Sequence, residues 1–213
     1  MRDSYYEQLD TIVDDLVTLT GTVRRSVASS TTALLDADAR LAEVIIAGDA
    51  EIDAETEAIE ERALRLLATQ QPVATDLRQL VATLRMVTDL ERMGDLAVHV
   101  AKVARMRVPE PAVPAQLHPT IRAMAKVADS MIDAAARIVA NRDVVAAANL
   151  EDEDDEMDRL RKDLFRMLLS DSWAYGVEPA IDLALLGRYY ERIGDHAVSM
   201  ARRVVYLVTG ELT

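Results

Sequence analysis

Four pairs of carboxylates, each pair four residues apart, are the part of this 213-residue sequence best equipped for chemistry: Asp49/Asp53, Glu91/Asp95, Asp154/Asp158 and Glu191/Asp195. On an α-helix, residues at that spacing lie on one face, one turn apart. Two like charges so placed weaken the helix by roughly 0.2–0.5 kcal/mol unless something positive neutralises them. An all-oxygen donor set suits hard cations such as magnesium, manganese, calcium or iron, and the chain has no cysteine with which to build a thiolate site. Salt bridges are the competing use of the same acids. Arg92 and Arg192 sit inside the same motifs and can reach carboxylates on neighbouring helices.

The pairs belong to an internal repeat. Residue n aligns with n + 105 over 35–53, so that Asp38 meets Asp143, Asp49 meets Asp154, Ile52 meets Met157 and Asp53 meets Asp158. Further on, ERMGD at 91–95 aligns with ERIGD at 191–195 at an offset of 100, which shortens one connection of the second copy by five residues. If the flanking helices form antiparallel hairpins, residues equidistant from the turn lie side by side. The first-copy pairs centre on positions 51 and 93, whose midpoint is Pro72, a natural break. The second-copy pairs centre on 156 and 193, with their midpoint inside the turn-like stretch Asp171–Glu178. Both hairpins therefore carry four acids to one level. Gly94 and Gly194 lie beside them, where a helix loses about 1 kcal/mol to glycine, and they predict close backbone approach. Along the third helix, Glu91 and Asp95 share a stripe with Leu77, Leu80, Leu84, Val87 and Val98, which predicts that the acids interrupt an apolar face. His99 follows Asp95 by one turn but aligns with Ser199, so it reads as a packing or surface residue; His196 points away from Asp195, and His118 falls in a linker.

The elements that must hold these acids are helices. Hydrophobic residues make up 50% of the chain but aromatics only 4%, leaving Ala, Leu, Val, Ile and nine Met to fill a core, and seven glycines are too few for the turns of a β-rich protein. All six prolines fall where helices begin or end, and four of them (Pro109, Pro111, Pro114, Pro119) cluster mid-chain. Apolar spacing predicts helices over 5–35, 38–68, 73–107, 120–140, 144–169 and 179–208, with Asp38 and Asp143 as N-caps and Gly210 as a terminator. The fold class is all-α, as two tandem homologous three-helix bundles: residues 1–108, a Pro-rich linker over 109–119, and residues 120–213.

Charge and motifs narrow the function. A formal charge of −13 and a pI near 4.7 disfavour contact with phosphate backbones, so no nucleic-acid partner is expected. The N-terminal MRDSYYEQLD carries no apolar signal core and no run reaches the ~20 apolar residues of a membrane span. A soluble, cytoplasmic protein without membrane insertion is the expectation. No nucleophile constellation, Gly-rich phosphate loop or E-x-x-H di-iron signature is present, so it reads as a non-enzyme. The segment EDEDDEMD (151–158) reads as a solvated face apart from Asp154 and Asp158.

At DLERMGDLAVHVAK (89–102), YERIGDHAVSMARRV (190–204) and LLATQQPVATDLRQLVATLRM (66–86), the chain resembles the PhoU family of phosphate-signalling regulators over essentially its whole length. The resemblance implies paired three-helix bundles and negative regulation of phosphate uptake and phosphate-responsive signalling. The partners it implies are the ATPase of the phosphate ABC transporter and a sensor histidine kinase, at the inner membrane face. It also implies that the motif acids Glu91, Asp95, Glu191 and Asp195, with Asp49/Asp53 and Asp154/Asp158 on the adjoining helices, carry multinuclear iron or zinc-type clusters in some members and no metal in others. Iron, zinc, manganese or magnesium is the expected cargo, and a homodimer the expected assembly.

Overall fold

The computed structural model describes residues 2–211, which form α1 (Arg2–Asp36), α2 (Ala39–Gln70), α3 (Ala74–Arg107), a single 3-10 turn (Ala115–Leu117), α4 (His118–Asn141), α5 (Val144–Leu168) and α6 (Val177–Thr209). Each helix lies where the apolar spacing places it, to within two residues at nearly every end. The α1–α2 and α4–α5 turns are the same turn built twice. Ala37 and Arg142 both adopt left-handed backbone, with φ of 52° and 53°. The next amide then reaches back across the helix end, Asp38 N–H to Ala33 C=O at 3.0 Å and Asp143 N–H to Ile138 C=O at 3.3 Å. Asp38 and Asp143 cap the following helices, accepting from the amides of Leu41 and Ala146, each at 2.9 Å. Gly210 closes α6 in left-handed backbone.

Two details depart from the pattern read in the sequence. Pro119 lies in the first turn of α4, where its missing N–H is of no consequence, so His118 opens that helix and bonds Val113 C=O through Nε2 at 3.1 Å. The proline-rich segment is pinned to the body rather than loose, because Ala112, Val113 and Leu117 are buried. The apolar face of α3 is also wider than one stripe. Leu80, Val87 and Val98 are buried but Leu77 is exposed and Leu84 half-buried, while Ala82, Met86, Leu90, Met93 and Ala97 are buried on other faces. The reason is that α3 packs against α1, α2 and α6 at once.

That packing defines the architecture. Helices α1, α3, α6 and α4 touch in a closed ring, with α2 laid on α1 and α3 and α5 laid on α4 and α6. One continuous apolar core runs through both copies. The copies meet about an approximate two-fold axis that makes α3 and α6 antiparallel. Arg78 near the start of α3 donates to Leu207 C=O near the end of α6 at 3.3 Å. At the other end, Arg107 of α3 grips Asp182 of α6 at 2.6 Å and also pairs with Glu178. These contacts are symmetry mates, since Glu178 is the counterpart of Arg78 and Leu207 that of Arg107 at the offset of 100. Between α1 and α4, Arg24 meets its own counterpart, Asp129, at 2.6 Å. Asp133 also pairs with Arg24.

Candidate functional site

In both copies the acids converge as the hairpin geometry requires. A Cβ built on Gly94 would meet two carbons of Ile52 at 3.2 Å and Asp49 Oδ1 at 3.6 Å. The same construction at Gly194 meets Met131 Sδ at 3.1 Å and Asp154 Oδ1 at 3.4 Å. Each glycine thus lets a neighbouring helix approach, and each brings the first Asp of one pair beside the Asp of the other. Asp49, Glu91 and Asp95 are half-buried and Asp53 is exposed; in the second copy Glu191 is buried, Asp154 and Asp158 are half-buried and Asp195 is exposed.

The electrostatics record this crowding. Burial raises the Asp49 carboxyl above the usual carboxylate range, and the charges of Asp53, Asp95 and Glu91 push it the same way against an opposing pull from Lys102. Asp154 is raised by burial and then by Asp195, Asp158, Glu191 and Asp155. The eight carboxylates therefore lie in two mutually repelling groups of four. Among the described residues no three Asp, Glu or His side chains close on a single point in the manner of a formed coordination shell.

Some of the negative charge is already met by protein cations. Arg92 reaches Asp95 on its own helix at 2.9 Å rather than a neighbouring one. Lys162 reaches Asp158 at 3.1 Å. Glu191 pairs with Arg188, and Arg161 Nε stands 3.5 Å from its other oxygen. Arg161, Arg188 and Lys162 do not stand out in the sequence as partners of the acids. Extending the repeat register past Asp158, and back from Glu191, would have singled them out, because their counterparts are Thr56, Thr88 and Glu57, none of them basic. Thr56 has a second distinction. It is buried, and its Oγ1 has no hydrogen-bond partner among the described residues.

The histidines stand apart from the acids. His99 is exposed and stacks on Tyr189 with ring centroids 5.3 Å apart. His196 turns toward α3, where its Nδ1 lies 2.9 Å from Asp89 Oδ1, and Ser199 donates to Asp89 Oδ2 at 2.9 Å. The counterpart of Asp89 is Tyr189 and that of Ser199 is His99, so the two contacts mirror each other across the α3–α6 seam.

The first-copy acids match a hard divalent cation in donor type and in level, although among the described residues no three of them converge on one point. In the second copy Glu191 is engaged by arginine, and the fit is poorer.

The PhoU domain model matches the chain twice, over residues 16–104 and 121–204. The chain is 42% identical over 210 residues to the phosphate-specific transport system accessory protein PhoU homolog 2 of Mycobacterium tuberculosis, covering 99% of both. It is 33% identical over 214 residues to the PhoU homolog of Deinococcus radiodurans, again covering 99% of each. Its fold superposes on the crystal structure of PhoU from Pseudomonas aeruginosa with a TM-score of 0.88 at 30% identity, covering 97% of this chain and 100% of that one. The phosphate transport system regulatory protein PhoU from Streptococcus pneumoniae gives a TM-score of 0.89 at 25% identity, covering 98% and 99%. With a duplicated domain, full-length relatives and a shared six-helix fold, the chain belongs to the PhoU family.

Proposed function

We propose that the protein is a non-enzymatic accessory regulator of phosphate transport, acting from the cytoplasm as an adaptor between the ATPase of a phosphate ABC transporter and a sensor histidine kinase. The observation that carries this reading is the end-to-end similarity to a phosphate-specific transport system accessory protein, at 42% identity over 210 residues. A chain with no helix long and apolar enough to cross a membrane, among the described residues, is consistent with work at the transporter's cytoplasmic face. A divalent metal is part of the proposal. Asp49, Asp53, Glu91 and Asp95 would hold it, and it would supply positive charge that cancels their repulsion and stiffens the α2–α3 hairpin. The adaptor surface would then respond to metal occupancy, and a homodimer would present two such surfaces.

The test is affinity purification of the tagged protein from cells grown with ample phosphate. Recovery of the transporter ATPase and the kinase supports the adaptor role, and recovery of neither overturns it. Deleting the protein should release phosphate-responsive genes from repression under the same conditions.

A second reading, a metal-free scaffold whose acids serve ion pairs, is favoured by the Arg188, Arg161 and Lys162 contacts in the second copy. It predicts that chelator leaves the melting temperature unchanged and that salt weakens partner binding.

A further inference from the structure

The two hairpins differ at their tips. Helix α5 starts in register with α2, Val144 standing for Ala39, but it has 25 residues where α2 has 32. Residues 169–175, the counterparts of the last two turns of α2, are not helical. They fold on themselves instead, with Trp173 N–H bonding Ser170 C=O at 2.9 Å and Trp173 Nε1 donating to Gly176 C=O at 2.6 Å. In the first copy those turns run beside the start of α3, where Ala63 and Leu67 are level with Val81 and Leu77 about Pro72. In the second copy the start of α6 lacks that neighbour.

The uncovered turns are apolar. Val177, Ile181 and Leu185 recur every four residues along one face of α6 and are 76%, 54% and 43% exposed. Their counterparts on α3 are Leu77, Val81 and Arg85. The second copy therefore sets a larger aliphatic chain at one open position and replaces an arginine by leucine at the next. Across the seam Met106 is 63% exposed at the same level, since its neighbour Arg107 grips Asp182. A contiguous apolar face with a polar rim marks a surface that another molecule covers.

The charge around the stripe selects the partner. The connection 108–117 and the segment 169–182 together carry Glu110, Asp171, Glu178 and Asp182 and no lysine or arginine. Arg107 pairs with Glu178 and Asp182, while Glu110 and Asp171 make no ion pair among the described residues. A second copy of this chain would bring the same four acids against themselves across a two-fold contact, and like charges repel. Resting on the adaptor reading above, we infer that Val177, Ile181, Leu185 and Met106 form a docking face for an amphipathic helix of a partner protein, apolar along one side and flanked by lysine or arginine. Two helical turns, about 10 Å at 1.5 Å per residue, fill the gap that the shortened α5 leaves, as the last turns of α2 fill it in the first copy.

The experiment is affinity purification of the tagged full chain from cells grown with ample phosphate, with the transporter ATPase and the sensor kinase quantified in the eluate. Four proteins are compared: wild type, Ile181→Glu/Leu185→Glu, Glu110→Lys/Asp171→Lys, and Val44→Glu/Leu64→Glu, which alters two open apolar residues of α2. Circular dichroism checks that each is helical, and sedimentation gives its mass. The Ile181→Glu/Leu185→Glu protein is expected to retain about a tenth or less of the wild-type amount of at least one partner. The charge-reversal variant is expected to lose part of the same partner, and the α2 variant to match wild type. Undiminished recovery of both partners by either of the first two variants, or an equal loss in the α2 variant, overturns the inference and leaves the adaptor reading standing. A wild-type dimer that Ile181→Glu/Leu185→Glu splits into monomers also overturns it, because the face then joins two copies. Recovery of neither partner by wild type overturns both.

Discussion

Gly94 and Gly194 occupy the same register position yet predict different tolerance of a methyl group. At Gly94 the new Cβ meets two carbons of Ile52 at 3.2 Å, and a β-branched side chain has little freedom to withdraw. At Gly194 it meets the Sδ and Cε atoms of Met131, a side chain that adapts. Overpacking costs about 1–3 kcal/mol and a helical Gly→Ala exchange returns about 1. Gly94→Ala should therefore destabilise by about 1 kcal/mol and Gly194→Ala by close to nothing, as read by urea unfolding. The acids beside them give a pH dependence. Asp49 and Asp154 have raised folded-state values, so their contribution to stability is greatest below the unfolded carboxylate value and is lost as pH rises through the folded one. In chelator, Asp49→Asn/Asp154→Asn should gain melting temperature over wild type at pH 7 and lose that advantage near pH 4. The carboxylate spacing made these residues visible in the sequence. The arginines that answer Glu191 were less visible, because a basic residue in a charged helix carries no periodic signal until its counterpart is set beside it.

At the scale of elements, the helices were legible because prolines, caps and apolar spacing agree at each boundary. The N-cap aspartates are the sharpest case. Asp38→Ala and Asp143→Ala should each cost about 1 kcal/mol, measured by thermal or urea unfolding, since each removes an acceptor from an otherwise unsatisfied amide. What a single-helix pattern could not reveal was how many faces of α3 are covered. Leu77 belongs to the apolar stripe and is nevertheless 41% exposed, whereas Gln79, outside it, is buried. Its amide donates to Leu9 C=O at 3.3 Å and its carbonyl accepts from Arg142 at 2.9 Å. Contacts of that kind join residues far apart in the chain, and helical periodicity carries no trace of them.

For the whole molecule, the repeat suggested two bundles, while the core runs unbroken through both. Fragments 1–108 and 109–213, produced separately, should each expose the apolar surface of the α1–α3 or α4–α6 faces and bind a hydrophobic dye without cooperative unfolding. Mixed together, they should recover a cooperative transition by calorimetry. The contact between Arg24 and Asp129 shows why the halves gain from sharing one chain. A true two-fold dimer of a single half would set each axial residue against an identical one, arginine on arginine or aspartate on aspartate. Covalent joining lifts that constraint, so the axis can carry opposite charges. At this point of the seam a second first half would set arginine on arginine, so the contact favours the chain's own other half.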